Sequence, residues 1–86
     1  MPNLKEINFF NQTLKDLVLI SGLSGHETGV RDYLKAQLKQ NALNTKTDVL
    51  GNLICTLKGD DKLPSIILFA HMDQLGFIVK KIEDNG

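Results

Sequence analysis

Apolar residues in the first part of the chain recur every three or four positions. Ile7, Phe10, Leu14, Leu17 and Val18 fall on one side of a 3.6-residue period, which predicts an amphipathic helix over residues 3–20. Asn3 is placed to cap it, and Glu6 three residues on completes the pattern of a capping box. Ser21-Gly22 stops this helix, and residues 21–25 are too short and too glycine-rich for anything but a turn. Val30, Leu34 and Leu38 then form a second stripe with Tyr33 on its flank, predicting a helix over residues 26–40. Ser24 or Gly25 can cap it. Glu27 then falls in its first turn, opposite the positive end of the helix dipole, and pairs with Arg31 four residues later.

After Gln40-Asn41 the period changes. Residues 45–49 and 53–57 are short β-branched and apolar runs on either side of Leu50-Gly51-Asn52. Gly51 there suits a positive φ, and Asn52 suits a bond to nearby backbone. Residues 58–62 are a polar turn, after which Pro64 opens the run 65–70, apolar almost throughout as in a strand covered on both faces. Residues 75–82 read as a further strand, and Glu83-Asp84-Asn85-Gly86 has the chemistry of a hairpin turn. The predicted class is α/β: two helices followed by about four short strands, with residues 66–70 the most buried. The expected core holds Leu14, Leu17, Val30, Leu34, Leu53, Ile67, Phe69 and Phe77.

Length and charge narrow the function classes. Eighty-six residues suffice for one small domain with a thin core. Ten basic and ten acidic residues sum to zero, which gives no support for nucleic acid as a partner. No apolar run is long enough for a membrane-spanning helix, and the N-terminus lacks the pattern of a signal peptide. The single Cys55, in the apolar run Leu53-Ile54-Cys55, reads as a small buried thiol. With no export signal, a reducing cytoplasmic setting is expected.

The candidate chemistry lies where the 65–70 run ends, at His71-Met72-Asp73. Histidine is the commonest metal ligand among the side chains, and a ligating imidazole usually donates its other N–H to a carboxylate. Residues two apart on a strand share a face, so one strand end can carry both groups. Taken alone, such a pair is more often structural. The other candidates have plainer readings: His26 as a surface residue at a helix start, Asp48 to Asn52 as a turn, and Asp60-Asp61 as a solvated loop.

The ordered set Ser21-Gly22-Leu23-Ser24-Gly25-His26-Glu27, Val30-Arg31, Asp48-Val49-Leu50-Gly51-Asn52 and Phe69-Ala70-His71-Met72-Asp73-Gln74-Leu75-Gly76-Phe77 resembles the N-terminus of the dinuclear-metal aminopeptidases. These include the glutamyl, deblocking and tetrahedral aminopeptidases, some of which carry the label cellulase M. The resemblance runs from about Leu14 to Gly86. It departs at Gln74, where many members have Glu. That position is not among the family's metal ligands, so the departure bears on subfamily and substrate preference.

The resemblance implies the N-terminal part of a zinc-peptidase-like α/β fold. Residues 1–86 would form the amino-terminal part of the catalytic domain, ending where an inserted dimerisation domain begins. It implies removal of N-terminal residues from peptides with two divalent ions, zinc or cobalt, and an activated water. His71 would be a metal ligand and Asp73 the residue that orients it. The family's remaining ligands would lie beyond these residues, so the 86 residues alone are expected to be inactive. Homo-oligomers are also implied, dimers assembling into a tetrahedral dodecamer. Two other functions stand beside this one: a non-catalytic α+β binding domain that uses a sheet edge, and a glycan hydrolase, following the cellulase label.

Overall fold

The computed structural model describes residues 1–86, and its elements follow in chain order as α1 (Leu4–Leu19), α2 (Thr28–Gln40), β1 (Thr45–Thr47) and β2 (Leu53–Cys55). The expected pair of helices is present, followed by strands. Asn3 caps α1 as a reciprocal box: its Oδ1 accepts from the Glu6 main-chain N–H at 2.9 Å, and Glu6 Oε2 accepts from the Asn3 N–H at 3.2 Å. Two of the helix's orphan donors are thereby satisfied.

The start of α2 differs from expectation. Glu27 is the N-cap residue itself and makes no capping bond with its side chain. Its Oε1 turns back to accept from the Gly25 N–H at 2.9 Å. That removes the carboxylate from Arg31, whose Nε instead donates to the Gly51 carbonyl at 2.8 Å. The expected Glu27–Arg31 side-chain pair is therefore replaced by a bond that ties α2 to the loop between the strands.

That loop joins β1 and β2 as an antiparallel pair, with Thr45 opposite Cys55 and Thr47 opposite Leu53. Asp48 organises it. Its Oδ1 accepts from the main-chain N–H of Leu50 and of Asn52, and its Oδ2 accepts from Asn52 Nδ2. The expected bond from Asn52 to nearby backbone is thus made to a carboxylate instead. Donation by the Asn52 side chain, then by its main-chain N–H, holds the Asp48 carboxyl below its ordinary value. Gly51 adopts φ +88°, and a Cβ there would lie 2.7 Å from Arg31 Nη2. Gly51→Ala therefore meets both a left-handed backbone and the guanidinium. We expect a loss of roughly 1–2 kcal/mol from the backbone alone, read as a lower urea midpoint with an unchanged slope.

The later half of the chain overturns two expectations. Residues 65–70 and 75–82 contain no strand, so there are two strands rather than about four. The core is correspondingly smaller. Only Gly22 and Val30 are buried, Val30 at 6% exposure. Leu17, Leu34 and Leu53 are half-buried. Leu14, Ile67, Phe69 and Phe77 are exposed, and residues 66–69 stand between 82% and 93% exposed. Cys55 is half-buried rather than buried. The cause is pairing. A strand satisfies its backbone N–H and C=O groups through a neighbour, and no segment of these residues forms a ladder of backbone bonds with 65–70 or 75–82. The apolar pattern records what a segment is suited to bury, which is a separate matter from what lies beside it.

Mass and dimensions agree with that account. A compact monomer of 9.6 kDa exposes roughly 5,100 Å², whereas this chain exposes 8351 Å². Its radius of gyration is 17.4 Å, against about 12 Å for a compact domain of this length. The regular secondary structure is α1, α2 and the hairpin. Tyr33 Oη on α2 donates to Asp16 Oδ2 on α1 at 3.0 Å. Burial first, then the Asp16 carboxylate, pushes the phenol above its ordinary value. No helix is long and apolar enough to cross a membrane.

Candidate functional site

His71 and Asp73 meet without the strand that was expected to carry them. The imidazole Nδ1 lies 2.9 Å from Asp73 Oδ1 and 2.9 Å from the Asp73 main-chain oxygen. The contact is made between residues two apart in the chain and needs no shared strand face. Both partners of Nδ1 are acceptors, so in the neutral ring Nδ1 carries the proton and Nε2 keeps its lone pair. The His71 side chain is 84% exposed and that of Asp73 42%. The ring is thus oriented by its own neighbour and stands largely in solvent.

This arrangement fits one imidazole donor to a divalent ion, held in the tautomer that ligation needs. It does not make a site by itself. No group of three or more His, Cys, Asp or Glu side chains in the chain is placed to hold a metal ion. His26 is exposed in the turn before α2, as the sequence suggests. Asp60 acts as a turn residue, its Oδ1 accepting from the Lys62 N–H at 2.9 Å.

The segment around His71 is attached to the α1–α2 turn. Leu23 and Gln74 form an isolated parallel bridge, and the Gln74 main-chain N–H donates to the Gly22 carbonyl at 2.8 Å. The Gln74 side-chain amide donates to the Ile20 carbonyl at 2.7 Å. A shallow cleft lies along this seam, lined by Ser21, Leu23, His26, Gln74 and Phe77 among others. Sequence reasoning singled out Gln74 only as a departure from a family pattern. A partner 54 residues away leaves no local signal in the chain.

Residues 51–86 match the sequence profile of the M42 glutamyl aminopeptidase family. The lysyl aminopeptidase of Pyrococcus furiosus is 37% identical over 76 residues, covering 87% of this chain and 21% of its own length. The glutamyl aminopeptidase of Lactococcus lactis subsp. cremoris is 38% identical over 74 residues, covering 85% of this chain and 21% of its own. The chain thus spans about a fifth of the length of these curated relatives. No solved structure matches it. Its similarity covers nearly all of its own residues and includes the segment bearing His71 and Asp73, and by these matches the chain is a sequence relative of the M42 glutamyl aminopeptidases.

Proposed function

We propose that the chain is the amino-terminal part of the catalytic domain of a metal-dependent aminopeptidase that removes N-terminal residues from peptides. The observation that carries this reading is the family match over residues 51–86, the segment that contains His71 and Asp73. In this reading, His71 Nε2 is one ligand to one of two divalent ions, zinc or cobalt. Asp73 holds the ring through Nδ1. Such ions supply Lewis acidity toward a peptide carbonyl oxygen and toward water. What the chain itself contributes is an oriented imidazole, not a full ligand set, since a catalytic zinc takes about three protein ligands. The 86 residues alone are therefore not a peptidase in this reading.

The test uses the protein expressed at its natural length. Hydrolysis of unblocked amino-acid anilides is measured beside hydrolysis of β-glucans, before and after removal of metal with a chelator. Chelator-sensitive release of the anilide, restored by zinc or cobalt, is the expected result. Glucan hydrolysis without anilide hydrolysis would overturn the peptidase reading in favour of a glycan hydrolase, whose chemistry normally needs a pair of carboxylic acids.

A further inference from the structure

All hydrogen bonding between residues 57–86 and the rest of the chain passes through one residue. The two bonds that cross are the Gln74 main-chain N–H to Gly22 and the Gln74 side-chain amide to Ile20. The remaining bonds of residues 57–86 are local, as in Asp60–Lys62, Asp60–Leu63, His71–Asp73 and Glu83–Gly86. The receiving surface is itself fixed. A Cβ on Gly22 would stand 2.8 Å from Val30 Cγ2 and 3.5 Å from the Met72 carbonyl. The turn is therefore pressed between the most buried side chain of α2 and the backbone beside His71.

We propose that Gln74 is a positioning residue for the His71 imidazole. Its side-chain amide and main-chain N–H clamp the segment that carries His71 and Asp73 onto the C-cap of α1 and the turn that follows it. This rests on the reading of His71 as a metal ligand.

The chemistry asks for a donor of this length. Both recipients are carbonyls. Ile20 is the C-cap of α1, so its carbonyl is among those a helix end leaves without an intrahelical partner. A helix C-terminus also carries partial negative charge, and α1 has no basic residue in its last turn. A neutral amide donor suits such a position. An ammonium offers donors and an opposite charge.

Two variants at the protein's natural length test this: Gln74→Met and Gln74→Lys. Zinc affinity is measured by competition with a chromophoric chelator, and amide hydrogen exchange is followed over residues 71–76. Met is expected to weaken zinc binding by roughly 10- to 100-fold, the usual effect of losing a group that orients a ligand, and to speed exchange at residue 74. Lys is expected to stay within a few-fold of the parent in both. A packing role would be disturbed by Lys at least as much as by Met, so Lys behaving like Met overturns the proposal. Wild-type affinity and exchange in the Met variant overturn it as well, and so does faster exchange with unchanged zinc affinity. His71→Ala separates the two readings. If it leaves zinc affinity intact, the ligand role of His71 fails. If it lowers zinc affinity while Gln74→Met does not, the ligand role of His71 stands and the positioning role of Gln74 fails.

Discussion

His71→Ala, made in the protein at its natural length, is expected to abolish binding of one divalent ion and to reduce anilide hydrolysis to background. Of the two imidazoles in the chain, only this one is held by a neighbouring carboxylate, and its side chain is 84% exposed. Asp73→Ala is expected to do less, weakening metal binding or turnover by roughly 10- to 100-fold. The difference has a structural cause. Nδ1 faces two oxygens of residue 73, one on the side chain and one on the main chain, each at 2.9 Å. Removing the carboxylate leaves the main-chain oxygen, which still favours a proton on Nδ1. Tautomer selection survives in part, while the electrostatic support of the carboxylate is lost. Metal content after dialysis and the rate of hydrolysis together check both variants. Full metal content and full activity in His71→Ala would remove the basis of the proposed function.

What the sequence disclosed depended on whether the cause was local. The α1 cap was legible because Asn3 and Glu6 are three residues apart and satisfy each other. Gly51 was legible because a tight turn between two short runs demands a residue free to take positive φ. The two helices were legible from period alone. The strands at 65–70 and 75–82 were read from an equally clear apolar pattern, but a strand is completed by another segment, and no pairing segment is available among these residues. Arg31 shows the same limit on a smaller scale. Its local partner by spacing was Glu27, while its actual partner is the Gly51 carbonyl, 20 residues away. The candidate site divides along the same line. The His71–Asp73 contact spans two residues and was visible. The Gln74 attachment spans 54 and was not.

The 86-residue chain on its own is expected to self-associate and to show no peptidase activity. Its apolar side chains at Ile66, Ile67, Leu68, Phe69, Leu75 and Phe77 are each more than four-fifths exposed. Burying one such side chain gains roughly 1.5–3 kcal/mol, so even partial contact between copies offsets much of the cost of association. Apolar surface of this extent marks a contact face or an aggregation hazard. The unpaired backbone of the same segments adds open hydrogen-bonding groups, which invite pairing with a second chain. Turnover is not expected, because no set of three metal-binding side chains converges here and a catalytic zinc needs about that many. Sedimentation velocity over a concentration series, run beside an anilide assay with zinc, cobalt or manganese, reads both expectations. Phe69→Lys combined with Phe77→Lys should shift the distribution toward monomer, since it places charge on two of the most exposed aromatic rings without touching His71, Asp73 or Gln74. A monodisperse monomer with metal-dependent turnover would show instead that these residues form a self-sufficient enzyme.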